Sequence, residues 1–321
     1  MTSMRALRQN SSNGPEDLHL ITDAPVPSPG PGEILVKVTA AGVNFADVMQ
    51  TRGTYEGGPR APYVAGFEAV GEVVALGEGV TTPDVGDHVL GTGGGAFAEY
   101  MVMSAAGIVP VPAGWADEQA PGLILNWATA LAALKPLGRL AAGDTVLVNA
   151  AAGGVGQAAV RMAKHYGATV IATASPAKHD LVRGLGADHV FDYREDLPAW
   201  LTSGVDLVLE SVGGEAFVKS LAAAKRVTGR VVVYGVAGGE AALTNRDLNF
   251  RHQIHLIGLH LGVLIEHAPG IFANLLDELR ALIAAGVCAP GTPTVYDLAD
   301  GPKALAELEA RATVGKLVLR P

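Results

Sequence analysis

A glycine-rich segment at residues 151–156 has the residue types and spacing of a phosphate-binding turn. An apolar run at 145–150 precedes it, and a helix-compatible segment at 157–166 follows it. A strand, a tight turn and a helix in this order present backbone N–H groups and a positive helix end to a pyrophosphate. We therefore expect dinucleotide binding; a turn of small residues kept only for packing is the alternative. The expected cofactor contacts in this turn are Ala152, Gly153, Gly154, Val155 and Gly156.

The second strand of this unit ends without a carboxylate, which bears on the type of dinucleotide. NAD-binding units usually place Asp or Glu there, about 20 residues past the glycines, to hold the ribose 2′-OH. Here the strand ends at Ser175, and Lys178 follows three residues later. A lysine attracts a 2′-phosphate that a carboxylate repels, so we expect NADPH rather than NADH. Tyr193, after the third strand, is placed to reach the same phosphate or the adenine.

Simpler roles remain open for two of these residues. Lys178 also fits a solvated helix face, and Tyr193 also fits packing at a strand end.

Two stretches of different periodicity must position these residues. Residues 1–110 are β-rich, with Pro and Gly between β-branched runs, and predict a small distorted barrel. Residues 126–262 alternate strand and helix and predict a doubly wound parallel sheet. Residues 263–321 add two helices and a final strand that we expect to return to the first domain. The six strands of the parallel sheet are expected at 145–150, 168–174, 188–192, 205–210, 229–236 and 254–260, and the helices at 154–166, 176–185, 194–203, 214–225, 270–286 and 301–311.

Composition excludes several classes of protein. The chain has 321 residues, 49% of them hydrophobic and 17% charged, which predicts a large core rather than disorder. A net charge of −9 argues against nucleic acid and anionic membranes as partners. A single cysteine, Cys288, rules out an intrachain disulfide and a multi-cysteine zinc site. We see neither a signal peptide nor a membrane-spanning run and expect a cytoplasmic protein.

Several short segments together carry a family resemblance. They are residues 40–47, 65–68, 85–87, 126–130, 150–156 and 315–319. In combination they resemble the medium-chain dehydrogenase/reductase superfamily and, within it, the zinc-free quinone oxidoreductase (zeta-crystallin-like) family. The resemblance covers essentially the whole chain. It implies an α/β fold in which a Rossmann domain with a six-stranded parallel sheet (126–262) accompanies a GroES-like β-barrel catalytic domain (1–125, completed by 263–321).

The resemblance also bears on metal content. Zinc alcohol dehydrogenases of this superfamily resemble the chain but carry Cys where Asn44 stands, His where Phe67 stands and Cys near Leu125. Zinc prefers thiolate, imidazole or carboxylate donors, so we expect no metal. Without a metal ion as Lewis acid, an alcohol is not activated for oxidation. We therefore expect hydride transfer to an acceptor that is already electron-poor.

The expected function is therefore reduction of a small-molecule quinone by NADPH. Reduction of a 2-alkenal or another enone by the same mechanism is the alternative. Residues 126–130 are also similar to the vesicle amine transport branch, whose enzymatic role is less clear. A catalytically weak NADPH-binding protein with a structural or sensing role is thus a third possibility.

Four residues are candidates for catalysis. Asn44 is a candidate donor to the cofactor or to the acceptor oxygen, and Asp47 a candidate to orient its neighbours or the nicotinamide ribose. Tyr55, in a glycine-rich loop, offers a phenol, and Thr129 stands where the family places a Thr against the nicotinamide. A turn-forming Asn, a first-turn helix acid and a surface aromatic are the plainer alternatives for Asn44, Asp47 and Tyr55. Met49 stands where relatives often have Tyr, which weakens a quinone-specific assignment.

Further cofactor contacts are expected elsewhere in the chain. Ligands of parallel sheets sit at the carboxyl ends of strands, which places Tyr234, Gly235 and Val236 beside the cofactor. By resemblance, Leu259 and His260 lie near the nicotinamide, and Lys316 of the closing segment joins the contacts. A partly buried or interface histidine is the plainer alternative for His260.

The apolar strand at 254–259 is expected at an edge of the sheet, where strands tend to be paired or covered. By resemblance it pairs with its two-fold mate and gives a homodimer.

The cofactor assignment is testable by substitution. Lys178→Ala is expected to weaken binding of NADPH far more than binding of NADH, because only the former carries the 2′-phosphate. Dissociation constants for both dinucleotides measure this, and an equal loss for the two would refute the assignment.

Overall fold

The computed structural model describes residues 3–321 of the chain. Its sixteen strands are β1 Ser3–Gln9, β2 Leu18–Pro25, β3 Glu33–Val43, β4 Tyr63–Val64, β5 Glu68–Leu76, β6 His88–Thr92, β7 Tyr100–Ser104, β8 Val109–Pro110, β9 Thr145–Val148, β10 Thr169–Ala174, β11 His189–Asp192, β12 Leu207–Glu210, β13 Arg230–Val233, β14 His255–Gly258, β15 Thr294–Asp297 and β16 Leu317–Arg320. Its eight α-helices are α1 Phe45–Thr51, α2 Thr129–Leu134, α3 Gly154–His165, α4 His179–Gly184, α5 Gly214–Ala223, α6 Leu261–His267, α7 Pro269–Ala284 and α8 Gly301–Glu309. Two π-helical segments, Leu123–Ala128 and Asp247–His252, and several three-residue 3₁₀ turns are also present in these residues.

The chain forms two compact units. One runs from the start of the described chain to Leu125 and includes Pro290–Pro321, and the other is Asn126–Ala289. The return to the first unit therefore begins at residue 290, not at 263 as the sequence suggested. Helices α6 and α7 stay with the second unit, where the Tyr166 hydroxyl donates a 2.5 Å hydrogen bond to the Glu278 carboxylate of α7.

The first unit is built on antiparallel sheets. The larger has the order β15-β16-β3-β5-β6-β8 with β7 also paired to β3, and the smaller has the order β2-β1-β4. The registers of β3 place Gly42 opposite Glu68 of β5 and Val43 opposite Leu317 of β16. The end of β3, the start of β5 and the start of β16 therefore meet at one point of the sheet.

The second unit contains the predicted parallel sheet. Its order is β11-β10-β9-β12-β13-β14, and all five pairings are parallel. The strand order reverses at β9, which makes its carboxyl end a topological switch point, the usual ligand position in such sheets. Most residues of the interior strands are apolar and buried, as expected for a sheet covered on both faces.

Two helical expectations need correction. The helix expected at 194–203 is reduced to the 3₁₀ turn Ala199–Leu201. Pro198 disfavours helix in the residue before it, and the Arg194 guanidinium folds back onto the Asp192 carboxylate at 2.6 Å. Helix α6 was not expected, since its seven residues are too few to establish a period. No helix in residues 3–321 is both long and apolar enough to cross a membrane.

Gly156 is the glycine that the turn after β9 needs most. A Cβ there would lie 2.4 Å from the Ala150 carbonyl oxygen and 2.6 Å from the Ala151 Cα, and backbone cannot move aside as a side chain can. The absence of a side chain thus lets α3 pack closely against the turn.

Gly156→Ala is expected to lower the free energy of unfolding by about 1–3 kcal/mol through this overpacking. Thermal denaturation measures the change. Gly184→Ala is the control, because a Cβ there meets nothing within 4 Å and the residue ends a helix, so stability is expected to hold or rise. Equal effects of the two substitutions would contradict the steric argument.

Candidate functional site

In the first unit, the Asn44 side chain is oriented from both ends. Asn44 is the residue before α1, and its Oδ1 accepts a 2.7 Å hydrogen bond from the Lys316 ammonium. Its Nδ2 donates to the Gly42 carbonyl at 3.1 Å. The carboxamide is 8% exposed. A candidate donor held this way keeps one orientation, which is what stabilisation of a developing charge requires.

Lys316 also forms an ion pair with Glu68, which lies fully inside the unit. Lys316 Nζ is 2.9 Å from Glu68 Oε2, and Glu68 Oε1 accepts a 3.2 Å bond from the Leu125 N–H. A Cβ on Gly42 would lie 2.5 Å from Glu68 Oε2, so this carboxylate rests directly on β3. Lys316 was expected to bind the cofactor, which stays a prediction; within the described chain its ammonium contacts Asn44 and Glu68. We call Asn44, Asp47, Glu68 and Lys316 the Asn44 cluster.

Asp47 belongs to the Asn44 cluster because it contacts the Asn44 backbone. Its Oδ2 accepts a 2.7 Å bond from the Asn44 N–H, so it caps α1. Burial raises its pKa to about 7, against the lowering effects of the Asn44 N–H and of Lys316. Its Oδ1 is buried with no hydrogen-bond partner among the described residues, which suits a neutral acid better than a carboxylate. Asp47 therefore supports Asn44 with a carboxyl group that is still about half protonated at pH 7.

Tyr55 lies near this cluster in the same unit. Its ring is 5.2 Å from that of Phe67, tilted by 51°. Burial raises the pKa of Tyr55, and the Asp47 charge adds to the shift. The phenol therefore stays protonated and able to donate a hydrogen bond at neutral pH.

In the second unit, the glycine-rich turn joins β9 to α3 as predicted. Gly153 is the residue before the helix, Gly154 begins it, and Val155 and Gly156 follow in its first turn. The Gln157 side chain donates to the Ala152 carbonyl at 2.9 Å and steadies the turn. The free N–H groups of a helix start suit a phosphate.

Asn126 lies against this turn, although the sequence analysis did not place it among the cofactor contacts. A Cβ on Gly154 would lie 2.6 Å from Asn126 Oδ1. Asn126 lies in the π-helical segment that leads into α2, whose first residue is Thr129. Thr129 is half-buried there.

Ser175 and Lys178 lie together after β10, as the argument for a 2′-phosphate requires. The Lys178 N–H donates to the Ser175 carbonyl at 2.9 Å in a single turn. Partial burial lowers the pKa of Lys178. Tyr193 follows β11 and is 43% exposed, beside the Asp192–Arg194 pair.

A buried polar network, which sequence reasoning missed, joins the carboxyl ends of three strands. Asn149 Nδ2 donates to Glu210 Oε2 at 2.5 Å and to Ser220 Oγ at 2.7 Å. Thr173 Oγ1 donates to Asn149 Oδ1 at 2.9 Å. Glu210 Oε1 accepts from two backbone N–H groups just before α5, those of Val212 and Gly213. The network fixes the strand ends on which the glycine-rich turn stands.

The remaining candidates of the second unit follow β13 and β14. Tyr234, Gly235 and Val236 come directly after β13, and burial raises the pKa of the Tyr234 hydroxyl. Leu259 is buried after β14. His260 caps α6, where its Nδ1 accepts a 3.1 Å bond from the Val263 N–H. This contact gives His260 a local structural role that the sequence did not suggest.

The structure thus gathers Asn44, Asp47 and Lys316 into one cluster in the first unit. Thr129, the glycine-rich turn, Ser175 and Lys178 lie in the second unit, with Tyr193, the segment 234–236, Leu259 and His260. Within residues 3–321 there is no group of three or more His, Cys, Asp or Glu side chains suited to hold a metal ion.

Two known domain families match these units. Residues 30–113 match the Alcohol dehydrogenase GroES-like domain, and residues 154–280 match the Zinc-binding dehydrogenase family. The Escherichia coli quinone oxidoreductase complexed with NADPH is 31% identical, with a TM-score of 0.91 over 99% of this chain and 100% of that one. This chain belongs to the quinone oxidoreductase family of the medium-chain dehydrogenases/reductases. The predicted fold class, a Rossmann unit with a GroES-like unit, is confirmed.

Other members of this superfamily extend the comparison. Mycobacterial Rv1454c complexed with NADPH is 35% identical, with a TM-score of 0.91 over 99% of this chain and 100% of that one. The CurK enoyl reductase is 27% identical, with a TM-score of 0.89 over 100% and 99% of the two chains. Among curated relatives, the chain spans only 5% of the Streptomyces halstedii polyketide synthase GfsB, at 38% identity over 292 residues and 90% of this chain.

The raised pKa of Asp47 predicts a pH-dependent stability. In the unfolded chain this carboxyl ionises near its ordinary value of 3.8, whereas in the folded chain it ionises near 7. Between these values the folded state binds more protons, so stability falls as pH rises, by at most about 1.4 kcal/mol per pH unit. Asp47→Asn is expected to flatten this part of the stability profile, measured by denaturant unfolding from pH 4 to 8.

Asp23→Asn is the control, because Asp23 is exposed on β2. An unchanged slope in the Asp47 variant would show that Asp47 is ionised in the folded protein at neutral pH.

Proposed function

We propose that this oxidoreductase transfers hydride from NADPH to a quinone without the help of zinc. The observation that carries the proposal is the Asn44 carboxamide, held by Lys316 and Gly42 at a position where zinc alcohol dehydrogenases have a thiolate. An oriented amide donor stabilises negative charge on an acceptor oxygen but is a poor zinc ligand. The E. coli relative named above, a quinone oxidoreductase bound to NADPH, supports the proposed cofactor and the proposed class of acceptor.

The second unit holds the residues that would bind NADPH. The N–H groups at the start of α3 suit the pyrophosphate, and Gly156 allows the helix to approach the turn. Lys178 and Ser175 suit the 2′-phosphate, with Tyr193 exposed nearby. The bound cofactor supplies the hydride from its nicotinamide ring.

The first unit holds the residues that would act on the acceptor. The Tyr55 phenol and the Asn44 carboxamide are hydrogen-bond donors for the oxygen that becomes negative when hydride arrives. Lys316 and Asp47 are positioning residues, because they contact Asn44 and orient it. Asp47 is buried, so the final proton is assigned to solvent.

Reduction of an enone double bond is the second candidate, favoured by the likeness to the CurK enoyl reductase. Hydride then adds to the β-carbon, and the negative charge again develops on a carbonyl oxygen. Asn44 and Tyr55 would donate hydrogen bonds to that oxygen as well. Quinone and enone reduction would therefore differ in the shape of the acceptor that the site admits.

We also propose a homodimer. The outer edge of β14 pairs with no strand of residues 3–321, and Leu256 on it is 40% exposed. An exposed apolar edge strand is a template for pairing with a second copy.

NADPH oxidation, followed by its absorbance, tests the proposed reaction with 1,4-benzoquinone, 9,10-phenanthrenequinone and a 2-alkenal in parallel. Turnover of the quinones is expected, unchanged after treatment with a zinc chelator. Asn44→Ala is expected to lower kcat/KM by tenfold or more, the effect of one charge-stabilising donor. Asn274→Ala, an exposed amide on α7, is the control.

Three other outcomes of this assay would each change the proposal. A preference for the alkenal would favour the enone candidate. Tight NADPH binding with no turnover of any acceptor would reject both and leave a structural or sensing role. Loss of activity with the chelator would reject the metal-free mechanism.

A further inference from the structure

The first unit contains a cavity beside the residues assigned to the acceptor, and most of its lining has no role in the proposed reaction. Its volume is about 550 Å³, within the usual range for small-molecule sites. Its lining includes Asn10 and Ser12 from the connection between β1 and β2, Gln50 from α1, and Tyr55 and Arg60 from the loop that follows α1. We call it the Gln50 cavity.

Gln50 is the first sign that the cavity takes a ligand. The residue is only 7% exposed, and its side chain lines the cavity. Buried amides normally hydrogen-bond to protein, water or a ligand. The Gln50 amide is therefore placed to hydrogen-bond to a molecule that enters the cavity.

Arg60 indicates the charge of that ligand. It is exposed at the cavity wall, and no carboxylate within residues 3–321 lies in ion-pairing range of it. In contrast, Arg52 on the neighbouring turn is held by Glu16 and Glu309. A guanidinium offers paired N–H groups that match the oxygens of a carboxylate or a phosphate.

The cavity walls are fixed by contacts outside it. Arg52 donates to the Asn13 carbonyl and to the Glu16 carboxylate, and so ties the β1–β2 connection to α1. Gly53 has φ +67°, and a Cβ there would lie 2.9 Å from the Ser12 side chain, so the two loops approach closely. The polar groups thus face the cavity before any ligand arrives.

The cavity adjoins the residues assigned to the acceptor. Tyr55 forms part of its lining, and the Tyr55 ring also contacts that of Phe67, which directly precedes Glu68. Asn44 and Gln50 stand at opposite ends of α1, about 9 Å apart at 1.5 Å per residue. A molecule whose reacting carbonyl meets Asn44 therefore has room for a substituent at this distance.

We propose that the Gln50 cavity binds an oxyanion group, a carboxylate or a phosphate, carried by the acceptor. This inference rests on the proposed function, since it assigns the class of acceptor that the same site reduces. Arg60 pairs with the anion, and the Gln50 amide hydrogen-bonds to it or to the polar chain that carries it.

Kinetics with a matched pair of acceptors tests the proposal. For 1,4-naphthoquinone-2-sulfonate, Arg60→Gln is expected to raise KM about tenfold with little change in kcat, because the lost contact is the same in the ground and transition states. The KM for neutral 1,4-naphthoquinone is expected to change less than twofold. Gln50→Glu, which places a carboxylate in the cavity, is expected to act in the same direction. Arg280→Gln, on α7 of the second unit, removes the same charge elsewhere and is expected to leave both KM values unchanged.

Equilibrium binding gives a readout that needs no turnover. Calorimetry in the presence of NADP⁺ compares 2-naphthoate, 2-naphthyl phosphate and neutral 2-naphthol. Tighter binding of an anion than of 2-naphthol, lost in Arg60→Gln and kept in Arg280→Gln, supports the proposal, and the better of the two anions identifies the group. Equal affinities of the three ligands, or an anion preference that survives Arg60→Gln, would overturn it.

The two proposals fail separately. Quinone turnover with no Arg60-dependent anion preference removes this inference and leaves the proposed function. Absence of any turnover removes the proposed function, and calorimetry still decides whether Arg60 binds an anion.

Discussion

The buried ion pair between Lys316 and Glu68 is the constraint on which the first unit and its candidate site depend. Removing two charges from water is expensive, and the pair is tolerable only with further hydrogen bonds. Those bonds go to Asn44 and to the Leu125 backbone, so the pair joins β16, β5, the start of α1 and the segment that leads to the second unit. Lys316 reaches this place only because the last strand returns to pair with β3. A late segment of the chain thus completes a site begun 272 residues earlier.

The second unit solves the same problem without a cation. The Glu210 carboxylate is fully buried and accepts bonds from an amide, a hydroxyl and two backbone N–H groups at the start of α5. Backbone N–H groups at a helix start carry partial positive charge, so they can hold a carboxylate in place of an ammonium. Because Asn149 and Thr173 share this network, the ends of β9 and β10 are set together. The phosphate-binding turn and the Ser175–Lys178 segment follow those two strand ends directly.

The periodic features of the fold could be predicted from the sequence, whereas the long-range contacts could not. The parallel sheet and the turn at 151–156 were predictable because each depends on residues close in sequence. The contacts of Lys316 with Asn44 and Glu68 were not predictable, because these partners lie more than 240 residues away and only the pairing of β16 with β3 brings them near. Gln50 could not be singled out from the sequence, since its burial beside a cavity is a property of its surroundings and not of its residue type. Local prediction also has a limit. The helix expected at 194–203 is absent because Pro198 and the Asp192–Arg194 ion pair outweighed the helix propensity of that segment.

The protonation state of Asp47 links the energetics of the Asn44 cluster to its proposed role. With Asp47 neutral, the cluster contains one cation and one anion in contact, and its net charge is zero. Ionisation of Asp47 would add a second negative charge beside the amide proposed to face an oxygen that is itself becoming negative, and buried like charges repel strongly. Desolvation, the main cause of the raised pKa, opposes that ionisation. Complete burial of Asp47 therefore costs stability at high pH, but it keeps the environment of Asn44 favourable to an anionic acceptor oxygen.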